Sequence, residues 1–171
     1  MKAGLVGFAQ TGKTTFFNAL TGQRAQTGGG RSDKPNLGVI KVPDGRIDRL
    51  SSIFSPRRTI FAEVLFVDVP GSRGKGGGFD SATLNALREA DALVLVLRGF
   101  VGIDGSEPDP VRELADFESE LILNDLVMVE RRLERLRKEA GHDREKAVLE
   151  RLDAALQAEV SLRRVDLAPE D

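Results

Sequence analysis

Residues 7–14 read Gly7-Phe8-Ala9-Gln10-Thr11-Gly12-Lys13-Thr14, the spacing G-x-x-x-x-G-K-[ST] of a loop that holds phosphate. Glycines leave the main chain bare, so successive N–H groups can converge on an anion at the start of a helix. The flanking sequence supplies that setting. Residues 3–6 are a short apolar run without helical spacing, and residues 13–20 follow with a helix-like pattern. Strand, loop and helix in this order lead to a specific expectation. The stretch Gln10, Thr11, Gly12, Lys13, Thr14 and Thr15 binds the phosphates of ATP or GTP. Lys13 places a point charge at the β- and γ-phosphates, and Thr14 offers its hydroxyl to Mg²⁺.

A second motif lies downstream, Val64-Leu65-Phe66-Val67-Asp68-Val69-Pro70-Gly71. A buried strand delivering Asp68 at its C-terminal end puts a carboxylate where a nucleotide-bound Mg²⁺ needs one. Gly71, three residues on, can approach the γ-phosphate closely and report it through its N–H. Lys13 and Gly71 are therefore the candidate catalytic positions. Between the motifs, residues 22–36 are polar and glycine-rich, the place of a first switch loop. Either Ser32 or Thr27 can supply a second hydroxyl to Mg²⁺ there.

Further apolar runs at residues 64–67 and 92–97 read as strands buried on both faces, and the more mixed run 37–42 reads as a strand near an edge. Helix-like stretches at 44–53 and 82–90 alternate with them. This pattern predicts an α/β fold, a P-loop NTPase-type mostly parallel sheet with flanking helices. After Pro110 the only glycine is Gly141 and the only proline Pro169, so the back of the chain reads as helix. Asp109-Pro110 opens a long helix. Its seam runs through Ala115, Ser119, Ile122, Leu126, Val129, Leu133, Leu136 and Ala140 in 4-3-4-3 spacing. Gly141 ends it, and Asp143 is placed to cap a second helix with Leu149, Leu152, Leu156 and Val160 on one face. Together they predict an antiparallel helical (coiled-coil) hairpin.

Composition narrows the chemistry. The 171 residues contain no Cys and one His, His142, which excludes disulfides, thiolate metal sites, Ser-His-Asp triads and multi-histidine zinc. Residues 1–110 carry 14 basic and 11 acidic side chains, and residues 111–171 carry 11 and 16. The front half thus suits an anionic ligand better, but no chain-wide basic field draws the protein to DNA. The apolar run at the N-terminus is too short for a secretory signal, so the expectation is a cytoplasmic protein without membrane attachment. His142 falls at the hairpin tip and is assigned no role.

With these residues placed, the chain resembles the YchF family of Obg-related P-loop NTPases, the Obg-like ATPases. The resemblance rests on residues 7–15, Pro35-Asn36-Leu37-Gly38-Val39, Val42-Pro43-Asp44-Gly45-Arg46-Ile47-Asp48, residues 66–71 and Leu87-Arg88-Glu89-Ala90-Asp91-Ala92. It continues through Asp109-Pro110, Glu120-Leu121, Asp125-Leu126 and Glu130-Arg131. The helical part looks like the coiled-coil hairpin that this family inserts in its nucleotide domain. The resemblance implies a nucleotide-operated switch that hydrolyses ATP, often in preference to GTP, with Mg²⁺ and with ribosome-associated and stress-related roles. It also puts Ser32 where the family has its switch threonine, favouring Ser32 over Thr27.

The chain departs from the family in four ways. Ala9-Gln10 stands where the family has Pro-Asn, so the asparagine that coordinates potassium in related enzymes is lacking. Ser72 replaces the hydrophobic residue that follows D-x-x-G. The glycine-rich run to Gly78 is short, and no N-K-x-D motif or C-terminal TGS domain occurs. The expectation is a fragment or a shortened relative, divided into an incomplete nucleotide-binding part (1–108), the hairpin (109–165) and a tail (166–171). Its expected function is a Mg²⁺-dependent ATP/GTP switch with slow hydrolysis. The alternative is a non-hydrolysing interaction module whose hairpin binds a protein or ribosomal partner. A small-molecule kinase comes third, weakened by Asp68-x-x-Gly71.

Overall fold

A computed structural model describes residues 1–27, 35–69, 71, 79, 81–139 and 141–168. The chain divides into two compact units, Met1–Pro110 and Val111–Asp171.

Among the described residues the first unit is built on four strands, β1 (Lys2–Val6), β2 (Asn36–Lys41), β3 (Glu63–Asp68) and β4 (Ala92–Leu95), in the order β2-β3-β1-β4. Central β1 is parallel to β3 and β4, and β2 runs antiparallel to β3. Central placement explains its composition, because Ala3, Leu5 and Val6 are all buried and a strand covered on both faces needs apolar residues at consecutive positions. Three helices accompany the sheet, α1 (Lys13–Thr21), α2 (Gly45–Phe54) and α3 (Ser81–Glu89). Helix α1 buries Phe17 completely. A Cβ on Gly38 of β2 would stand 2.5 Å from Thr21 Cγ2 and 3.0 Å from Phe17 Cζ, so the α1–β2 approach requires glycine there.

Asp44 caps α2, its carboxylate accepting from the Arg46 amide at 2.9 Å. Helix α2 buries none of its residues and leaves Leu50, Ile53 and Phe54 exposed. Strand β4 also differs from its reading. The run 92–97 is apolar enough for burial on both faces, yet Leu93 is 43% exposed. Among the described residues β1 is its only partner, and an apolar run carries no count of its neighbours. The strand is also shorter than expected, although Val96 still donates to Val6 O at 2.9 Å.

The second unit is a pair of helices, α4 (Pro110–Leu136) and α5 (Asp143–Gln157), followed by a 3-10 turn over Leu162–Arg164. Val129, Leu133 and Leu156 form its buried centre, with Ile122, Leu126, Leu149, Leu152 and Leu162 packed around them. Ile122, Leu126, Val129 and Leu133 of the expected seam therefore meet Leu149, Leu152 and Leu156 of the expected face of the second helix. Arg132 on α4 closes the pair, donating to both carboxylate oxygens of Glu145 on α5 at 2.6 and 2.9 Å.

Four details of the hairpin differ from the reading. Helix α4 has 27 residues and α5 15, so about a dozen positions, roughly 18 Å, have no α5 opposite them. The seam residues Ala115 and Ser119 are exposed, while Phe117 between them is buried. Helix α4 stops at Leu136 and then tightens, with Lys138 N bonding Arg135 O and Glu139 N bonding Leu136 O, before Gly141 at φ 88°. Ala140 lies outside the described residues. His142 rather than Asp143 is the N-cap, since Lys146 N bonds His142 O at 2.9 Å. Asp143 sits inside the first turn, where its charge still complements the helix dipole. Val160 falls beyond the end of α5 and is 36% exposed. Among the described residues no helix is long and apolar enough to cross a membrane.

Candidate functional site

The loop between β1 and α1 changes direction through three residues at positive φ, Gly7 at 142°, Gln10 at 64° and Gly12 at 92°. Gly12 is the N-cap of α1 and makes no side-chain cap bond, so the amides of the first turn have no capping side chain from that residue. Those amides belong to Lys13, Thr14 and Thr15. Thr11 is 3% exposed, and its hydroxyl donates to Phe8 O at 3.1 Å. This bond braces the loop from within. Gln10 and Thr15 have exposed side chains; what they can contribute to an anion is main chain.

Lys13 is buried at 6% exposure, and its ammonium lies along the loop, donating to Gly7 O at 3.0 Å and Phe8 O at 2.6 Å. The Lys13 ammonium held by these carbonyls lies inside the loop, where attraction to an anion is less screened than in water. Gly71 lies directly against this group. A Cβ there would stand 2.8 Å from Lys13 Nζ, 2.8 Å from Ala9 Cα and 2.9 Å from Ala9 N. Only a residue without a side chain fits so close to the loop.

Asp68 ends β3 opposite the start of α1, buried at 4% exposure. Its Oδ2 accepts from Thr14 Oγ1 at 2.8 Å and from Asn36 Nδ2 at 2.9 Å. Its Oδ1 is buried and has no hydrogen-bond partner among the described residues. A carboxylate oxygen withdrawn from water without a donor is costly, and a cation removes that cost. The donors on offer, a carboxylate and a hydroxyl, are the hard oxygen ligands Mg²⁺ takes from protein when phosphates and water complete its shell. The residues therefore fit that ion. Among the described residues no cluster of three or more His, Asp or Glu forms an all-protein metal site.

The structure thus brings together Gln10 to Thr15, Asp68 and Gly71. Ser32 lies outside the described residues. Thr27 is exposed, and among the described residues no hydrogen bond joins it to Thr14 or Asp68. Two neighbours were missed in the sequence. Asn36 appeared only within a family motif, with no role. Phe100 brings its ring edge to 3.7 Å from the position of a Gly12 Cβ. Its loop is pinned by Arg98, which donates to Ser106 O and Oγ, and by Asp104 Oδ1, which accepts from Ser106 N and Oγ. Those Ser106 bonds hold the Asp104 carboxyl below the usual carboxylate range.

The sequence profile of a family described as "50S ribosome-binding GTPase" matches residues 2–132. Several relatives are similar over nearly all of this chain, two of them as follows. The ribosome-binding ATPase YchF of Bacillus subtilis is 31% identical over 184 residues, covering 99% of this chain and 50% of the relative. Its counterpart in Escherichia coli O157:H7 is 36% identical over 185 residues, covering 99% and 51%. Among solved structures, the YchF GTPase of Schizosaccharomyces pombe superposes with a TM-score of 0.79 at 27% identity, covering 99% of this chain and 50% of that one. The chain spans about half the length of the curated relatives it matches.

Proposed function

The chain belongs to the 50S ribosome-binding GTPase family, and from that premise we propose that it is a Mg²⁺-dependent nucleoside-triphosphate switch that hydrolyses its ligand slowly and acts at the ribosome. The observation that carries this reading is the convergence of Lys13, Thr14, Asp68 and Gly71 at one loop.

Each residue has a role in it. The amides from Gln10 to Thr15 receive phosphate oxygens, and the Lys13 ammonium turns from the Gly7 and Phe8 carbonyls to the β- and γ-phosphates. Thr14 and Asp68 hold Mg²⁺, whose contribution is to neutralise charge on the phosphates. Ser32 supplies a further hydroxyl. Gly71, already against the loop, reports the γ-phosphate through its N–H. Among the described residues at the loop no histidine or glutamate stands as a general base. Positioning and electrostatics then carry the reaction, which is why turnover is slow without a partner.

The relatives are named as ribosome-binding ATPases and the similar solved structure as a GTPase. Both bases therefore belong in the test. Ribosome association comes to this chain from the relatives' names, and a cytoplasmic location follows from acting at the ribosome, as part of the same proposal. Calorimetry with ATP and GTP, each with and without Mg²⁺, tests the reading. Binding of at least one nucleotide, tighter with Mg²⁺, is expected. Silence toward both would leave the helical hairpin as an interaction module.

A further inference from the structure

The two oxygens of Asp68 are treated differently. Oδ2 accepts two hydrogen bonds, from Thr14 on α1 and from Asn36 on β2, while Oδ1 is buried with no partner among the described residues. The torsion that spins a carboxylate is broad, so one donor alone leaves its plane loose. Two donors on separate elements fix it. The Thr14 hydroxyl gives its hydrogen to Asp68 and keeps its lone pairs for a cation. Asn36 has no such second duty, and its Nδ2 must be the atom facing Asp68, because an ionised carboxylate only accepts.

Backbone register brings Asn36 there. Asn36 and Asp68 are direct partners across the antiparallel β2–β3 ladder, at the end where β2 begins. The stretch that leads into β2 is the polar, glycine-rich segment 22–35. One amide thus touches the candidate metal carboxylate and sits at the junction with that segment.

We propose that Asn36 is a positioning residue, whose amide sets the Asp68 carboxylate so that Oδ1 is presented to the divalent cation of the bound nucleotide. This deepens the function proposed above and rests on it. The start of β2 is thereby tied to cation binding. Removal of Asn36 leaves Oδ2 with Thr14 as its donor and frees the carboxylate to turn, so the loss falls on the metal rather than on the phosphates.

The experiment compares the full 171-residue chain with Asn36→Ala and Asn36→Leu, the second keeping the side-chain bulk without its donor. Affinities for fluorescent ATP and GTP analogues are measured in Mn²⁺ and in EDTA. Bound Mn²⁺ is followed by electron paramagnetic resonance, and folding by thermal melting. The gain in affinity that Mn²⁺ confers is expected to fall about ten-fold or more in both variants, with affinity in EDTA and the melting midpoint unchanged. An undiminished Mn²⁺ gain, or a loss of equal size with and without metal, overturns the positioning role. Failure of the unaltered chain to bind nucleotide in Mn²⁺ is a separate result, which overturns the proposed function and this inference with it.

Discussion

The Thr14 hydroxyl and the Asp68 carboxylate, 54 positions apart in the chain, share a 2.8 Å hydrogen bond. That bond joins the first turn of α1 to the end of β3, and among the described residues Asp68 Oδ1 is buried without a donor. Asp68→Asn keeps the size of the side chain and removes its charge. The variant is expected to melt close to the unaltered chain, while Mg²⁺ improves its nucleotide affinity at least about ten-fold less. Titrations with ATP and GTP in Mg²⁺ and in EDTA check this, and an unchanged Mg²⁺ gain would contradict a metal role for Asp68.

Gly71 is the second position where chemistry and packing meet. An added methyl group would press on Ala9 backbone and on Lys13 Nζ at 2.8 Å, a strain of about 1–3 kcal/mol by the usual cost of overpacking. Gly71→Ala is expected to weaken triphosphate binding about ten-fold or more and diphosphate binding less. Competition titrations with the two classes of nucleotide measure the difference. Equal weakening of both would contradict a γ-phosphate role.

In the helical unit, Leu156 is 1% exposed at the centre of the α4–α5 contact, against Val129 and Leu133. Leu156→Ala is expected to destabilise that unit by about 2–5 kcal/mol, the range for a leucine removed from a core. Urea unfolding followed by far-ultraviolet circular dichroism reads this directly. A change within error would mean that the seam is not what holds the helices together.

The Arg132 guanidinium beside Glu145 holds that carboxyl below its usual value of 4.5. A carboxyl depressed in the folded state adds stability above its unfolded value, and that stability is lost as pH falls from about 4.5 through the lowered value. Both groups face solvent, so the effect is small and screened by salt. Melting curves at low ionic strength are expected to show a shallower acid loss for Glu145→Gln than for the unaltered chain. Identical acid limbs would contradict the pairing.

How much of this was legible in the sequence depends on where each residue's partner lies. The loop at residues 7–14 declared itself because its spacing is dictated by main-chain geometry around phosphate, and all its parts are local. Asp68 was visible as an acid at the end of an apolar strand. Asn36 carried no such mark, because its meaning comes from a carboxylate 32 residues away and from an antiparallel register that no local pattern states. Phe100 was hidden for the same reason, reaching Gly12 only through the loop held by Arg98 and Asp104. Helical periodicity found Leu126, Val129, Leu133 and Leu156 as facing residues. It placed the cap one residue late, at Asp143, because a short acidic side chain suits both the N-cap and the first turn. The exposure of Leu93 and of Ala115 was beyond reach for another reason. Apolar patterning says which side chains prefer burial, and the lengths and number of neighbouring elements decide which of them obtain it.

The most direct test of the nucleotide role is calorimetric titration of the unaltered chain and of Lys13→Ala with Mg·ATP and Mg·GTP. The expected result is measurable binding of at least one triphosphate by the unaltered chain and a loss of at least about 100-fold in the variant, the scale of removing a charge-assisted phosphate contact worth roughly 3 kcal/mol. Equal affinities in the two proteins would contradict the assignment of residues 7–14 as a phosphate-binding loop.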